Sequence, residues 1–144
     1  MPKILILFGP NLNVIGIREP EIYGHTTHAQ LVENCTQKGR ELGLEVTCRQ
    51  SNFEGELVTW IQESRGQFDG IVINAGAYTH TSIAILDALK FAELPVFEVH
   101  MSNIFARESY RHHSYISPVA QGVICGYGAN GYLYALQELK ERLK

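Results

Sequence analysis

Glu98 and His100 sit two residues apart in the run Val-Phe-Glu-Val-His, a spacing suited to acid–base chemistry. In a strand, residues i and i+2 leave the same face. A carboxylate so placed can bond one imidazole nitrogen, fix the tautomer, favour the protonated ring and leave the other nitrogen for chemistry. The complementary base is Tyr23, near the end of residues 9–25, GPNLNVIGIREPEIYGH. A phenol acts as a base through its anion, which a neighbouring cation favours. Arg18 lies on the same segment and Arg111 in a second irregular stretch. A tyrosinate on one side of a crevice and a carboxylate-held histidine on the other are the equipment of an elimination. One takes a proton and the other protonates a departing hydroxyl. Asparagine side chains and backbone N–H groups can steady a developing enolate oxygen.

These residues need a frame, and the hydropathy pattern supplies one. Strand-like runs are predicted at 3–8, 44–49, 69–74, 96–100 and 122–126. Helix-like runs are predicted at 27–42, 54–65, 82–93 and 129–143, with a short helix near 107–110 inside an irregular stretch from 101 to 121. Alternating strands and helices imply a parallel sheet covered on both faces, and the near-continuous apolar strands fit burial on both sides. Five such units predict an α/β, flavodoxin-like three-layer fold with strand order 2-1-3-4-5, whose ligands bind beyond the carboxyl ends of the strands at the switch point. Asn11, Asn74, His80, His100 and Ser102 all follow or end strands there, so one crevice should collect them. Structureless connections longer than roughly 12–15 residues are usually lids or linkers, and residues 9–25 are too rich in apolar and chemical side chains for a linker.

The chain has 144 residues and reads as a single catalytic domain, residues 1–144, with residues 9–25 as its lid. Its formal net charge of −3 offers no basic patch for nucleic acid and no polybasic membrane signal. Apolar runs reach only about six residues, too few for a membrane span, and Lys3 leads straight into a core-like strand rather than a signal-peptide core. Cys35, Cys48 and Cys125 are odd in number and widely spaced in apolar patterns, as free core thiols are. A cytoplasmic location is expected on these grounds.

The strings GPNLN, REPEIYG, SN-x-EGEL, INAGAYTHTS, LPVFEVHMSNI-x-ARE, RHHSYISPVA and GVICGYGANGYL together resemble type II 3-dehydroquinate dehydratase, in order and over nearly the whole chain. The resemblance implies a flavodoxin-like subunit, assembled as a dodecamer of trimers, that needs no metal or organic cofactor. It implies anti elimination of water from 3-dehydroquinate to 3-dehydroshikimate through an enolate, serving aromatic amino acid biosynthesis by the shikimate pathway or quinate catabolism. Matched by position, Tyr23 is the proton acceptor, Arg18 its activating arginine, His100 the proton donor and Glu98 its orienting carboxylate. Asn11 holds a water or the enolate. Asn74, His80 and Arg111 contact substrate hydroxyls, and the Met101 and Ser102 amides take the substrate carboxylate. Asp87 is an acid lent to a neighbouring subunit. The run 83–92 is apolar on most sides, so its helix is expected to be buried all round by the sheet and another subunit.

Other readings carry less. Gly126-x-Gly128-x-x-Gly131 matches a dinucleotide fingerprint, but the chain ends before the acidic residue that the motif requires, so close helix–strand packing is expected. A flavin or receiver module would need a phosphate loop or an acidic cluster after the first strand, and neither is present. A zinc site from His80, His100, His112 and His113 lacks any metal motif. A Schiff-base route needs a buried lysine, whereas Lys3, Lys38, Lys90, Lys140 and Lys144 read as surface residues.

Overall fold

Side chains alternate across a strand, so each apolar strand of this chain feeds two cores. In a computed structural model covering residues 1–144, the strands are β1 (Lys3–Phe8), β2 (Glu45–Gln50), β3 (Gly70–Asn74), β4 (Val96–His100) and β5 (Gly122–Cys125). The helices are α1 (Pro20–Tyr23), α2 (His28–Leu42), α3 (Glu54–Ser64), α4 (Ile83–Ala92) and α5 (Asn130–Arg142). All strands pair in parallel in the order β2-β1-β3-β4-β5, as the sequence predicts. Ile4, Ile6, Phe8, Val72, Phe97 and Val99 pack under α2 and α5, while Leu5, Leu7, Ile71, Ile73 and Val96 pack under α3 and α4. Strands β1, β3 and β4 are nearly wholly buried, and the edge strands β2 and β5 are half-exposed. No helix is long and apolar enough to cross a membrane.

Predicted element ends shift by a residue or two for local reasons. Thr27 is the N-cap of α2 rather than its first residue. Its hydroxyl accepts from the Gln30 N–H and its own N–H donates to Gln30 Oε1, a reciprocal capping box. The short helix predicted at 107–110 is a 3-10 turn at Ser109–Arg111. Gly131 sits against the sheet, where a Cβ would lie 3.1 Å from Val99 Cγ1 and 3.4 Å from Ile124 Cγ2. Close packing therefore accounts for the third glycine of the fingerprint-like string.

One expectation needs correction. Residues 9–25 are not structureless. They hold a 3-10 turn at Leu12–Val14 and the single-turn helix α1, and Leu12 and Ile15 drop into the α2/α5-side core. Burying such side chains contributes about 1.5–3 kcal/mol each, enough to order the start of the segment. Helix α4 meets the sheet side of its expected cover within the subunit and leaves its other side open, with Ile83 55% and Phe91 50% exposed. Its buried side, Ile85, Ala88, Leu89 and Ala92, faces the sheet and α3, and the remaining apolar residues face outward with Asp87.

Candidate active site

The three inner strands end together, and their carboxyl ends open into a cavity of about 240 Å³. Asn11, Arg18, Tyr23, Asn74, His80, His100, Met101, Ser102 and Arg111 all line it. Of the expected residues, only Glu98 and Asp87 do not. Glu98 lies behind His100, and Asp87 is exposed on the outer face of α4, away from its own chain's cavity. The lining contains Arg18, Arg107 and Arg111 but no carboxylate, so an overall acidic chain presents a cationic cavity suited to an anionic ligand.

The base of the first segment is held by backbone geometry. Gly9 donates its N–H to Asn74 O at 2.7 Å, and a Cβ on Gly9 would meet Ala75 O at 2.4 Å, so only glycine lets β1 turn out beside β3. Asn11 adopts φ 70° and donates its N–H to Asn52 Oδ1, while Gln50 Nε2 donates to Gly9 O. These bonds place the Asn11 side chain at the cavity wall.

Tyr23 ends the one-turn helix, and its phenol oxygen accepts a hydrogen bond from Arg107 Nη1 at 2.9 Å. Arg107 also reaches Ser102 Oγ at 3.3 Å. Arg18, the arginine the sequence reading pairs with Tyr23, stands elsewhere on the ring. Its guanidinium carbon is 5.3 Å from the ring centroid and its Nη2 pairs with Glu19 Oε1 at 3.2 Å. The cation on the phenol oxygen is therefore Arg107. That residue stands in the string Ala106-Arg107-Glu108, where nothing in its spacing points to Tyr23.

His100 Nε2 is bonded to Glu98 Oε2 at 2.5 Å, which leaves Nδ1 for the cavity. Glu98 is 1% exposed and fully occupied. Ser114 Oγ donates to Oε2 at 2.9 Å and Ser117 Oγ to Oε1 at 2.5 Å. Neither serine was singled out from sequence, because the stretch 101–121 has no periodicity to show which side chains fold under β4. Burial pushes the Glu98 carboxyl up, but the bond and charge of His100 and the two serine hydroxyls outweigh it and hold it below the usual carboxylate range. A carboxyl lowered in the folded state contributes stability above its unfolded value and loses it as pH falls through the folded value. Glu98→Gln is thus expected to cost about 1.5–3 kcal/mol at neutral pH. In thermal melts of both proteins, the gap should narrow as pH falls below about 4; a gap that stays constant would show that Glu98 is not ionised in the fold.

His80 donates through Nδ1 to His113 O at 2.7 Å, so its Nε2 is left for a ligand. Its ring lies 6.3 Å from that of His100 at an interplanar angle of 20°. Burial lowers the His80 imidazole below its ordinary value, with the neighbouring His100 and Arg111 charges adding to that. Arg111 lines the cavity with its Nε bonded to Glu108 Oε2 at 2.8 Å, and Met101 and Ser102 follow directly on β4. No group of three or more His, Cys, Asp or Glu side chains is arranged to hold an ion.

The comparisons agree along the whole chain. The family model described as dehydroquinase class II matches residues 2–140. A 3-dehydroquinate dehydratase of Ruegeria pomeroyi is 57% identical over 143 residues, 99% of this chain and 96% of that one. Another from Mesorhizobium japonicum is 58% identical over 144 residues, 99% of this chain and all of that one. The crystal structure of the type II dehydroquinase of Propionibacterium acnes superposes with a TM-score of 0.95 at 46% identity, covering 98% of this chain and 97% of that one.

Proposed function

The chain belongs to the class II dehydroquinase family and is a hydro-lyase, and from that premise we propose that it removes water from 3-dehydroquinate to give 3-dehydroshikimate, a step of the shikimate pathway or of quinate catabolism. The observation that carries this reading is the pairing, in one cationic cavity, of a phenol held by Arg107 and an imidazole held by Glu98. Tyr23 as its anion takes the proton from the carbon beside the ketone. The ketone oxygen becomes an enolate, steadied by a water held on Asn11. His100 then gives its proton to the departing hydroxyl on the opposite face, an anti elimination that leaves a conjugated enone. The Met101 and Ser102 amides hold the substrate carboxylate, and Asn74, His80 and Arg111 hold its hydroxyls. No metal or organic cofactor enters these steps, because proton transfers by side chains complete them.

The test is an assay with 3-dehydroquinate that follows enone absorbance. Turnover by the purified chain supports the proposal, and a folded, assembled protein without turnover sinks it. Arg107 and Arg18 are separated by their effects on kcat. Arg107 holds the phenol oxygen and Arg18 only stands over the ring. Arg107→Ala is expected to lower kcat further than Arg18→Ala; the reverse order would return the activating role to Arg18.

The segment 9–25 acts as a lid in this reading, pinned at Leu12 and Ile15 and open to solvent beyond them, where Ile17 is 84% exposed. Proteolysis within it should slow when substrate binds, and an unchanged rate would argue against closure. The outward apolar side of α4 fits a trimer contact that carries Asp87 to a neighbour's cavity, within a dodecamer. A monomeric mass by light scattering would end that part of the proposal.

A further inference from the structure

Asn74 ends β3 at the cavity wall, is 5% exposed, and has both ends of its amide engaged by the protein. Its Oδ1 accepts the Gly76 N–H at 3.1 Å, and its Nδ2 donates to the phenol oxygen of Tyr132 at 2.8 Å. Tyr132 lies on α5, has no exposed surface, and packs its ring 5.1 Å from that of Phe8. It does not line the cavity, so it cannot touch a ligand there. Burial keeps its phenol protonated well above the ordinary range, so it stays a neutral partner at any working pH.

The amide has two hydrogens on Nδ2 and two lone pairs on Oδ1. The Gly76 bond decides which end is oxygen, because a swapped amide would set N–H against N–H. That bond alone leaves the side chain free to swing about its last torsion, which is a broad one for asparagine. A second fixed point sets the plane. We propose that Tyr132 is a positioning residue for substrate recognition: its buried phenol oxygen locks the Asn74 amide plane, so that one N–H and one lone pair of Asn74 meet substrate hydroxyls in a single orientation. The identity of those hydroxyls rests on the dehydratase reading. The lock itself rests on the two bonds. Without the phenol oxygen one amide N–H loses its acceptor, and the amide turns to find another.

Tyr132→Phe removes only that oxygen and keeps the ring against Phe8. With 3-dehydroquinate its KM is expected to rise about tenfold, the scale of one hydrogen bond, with kcat within about twofold and the pH–rate profile unmoved. In an Asn74→Ala background the same change should alter kcat/KM by less than about twofold, because the group through which it acts is gone. Equal losses in both backgrounds, or no loss in the single variant, would overturn the proposal. A crystal structure of Tyr132→Phe gives a readout independent of activity: the Asn74 amide should turn by more than about 30° or split between two orientations. An unmoved amide would refute the lock. A wild type that fails to turn over 3-dehydroquinate would remove the dehydratase reading while that crystallographic result still decided the role of Tyr132.

Discussion

His100→Ala is expected to lower kcat on 3-dehydroquinate by about 10²–10⁴-fold, the usual contribution of a placed proton carrier. The cavity brings no second group of the same kind to that position. His80, the neighbouring imidazole, has one nitrogen tied to His113 O, and burial disfavours its protonated form, so it is a poorer proton donor. KM should change less, because the proposed carboxylate and hydroxyl contacts of the substrate come from other residues. The variant leaves Glu98 with its two serine donors, which limits the damage to the fold. Circular dichroism melts check that limit, and added imidazole should restore part of the rate by filling the space. A variant that turns over within a few fold of wild type would remove His100 from the chemistry.

Tyr23→Phe should cost a similar factor, about 10²–10⁴ in kcat, for the opposite reason: it deletes the acceptor and not the donor. The aromatic ring remains in place under the Arg18 and Arg107 guanidiniums, which stand 5.3 and 5.4 Å from its centroid. The loss should therefore appear in kcat with little change in KM. Substrate deuterated at the carbon that loses its proton gives a second readout. Its isotope effect should rise in Tyr23→Phe as proton removal becomes fully rate-limiting. Near-wild-type kcat would assign the base elsewhere, and the histidine acid would then need a new partner.

Both outcomes depend on residues legible without a structure, and so does most of the frame. Apolar runs identified every strand, because burial on both faces of a parallel strand is written in local composition, and the count of five strand–helix units pointed to the order of the sheet. Once the order is known, Asn11, Asn74, His80, His100 and Ser102 must gather, since strand ends in such a sheet point one way. The Glu98–His100 contact was legible for the same reason, as two residues on one face of one strand.

Contacts that close long loops had no such local signature. Arg107 reaches Tyr23 across 84 residues, Ser117 reaches Glu98 across 19, and Asn74 meets Tyr132 across 58. Apolar periodicity places a backbone element to within a residue or two, whereas a hydrogen bond tolerates only tenths of an ångström. The amino-acid sequence by itself determined the fold, the crevice and the pair of groups proposed to act on the substrate. Only the tertiary structure decided which guanidinium holds the phenol, which hydroxyls hold the carboxylate, and that Asp87 faces away from its own cavity. Those choices depend on how irregular segments and distant helices settle against the sheet, and packing, not local propensity, sets that.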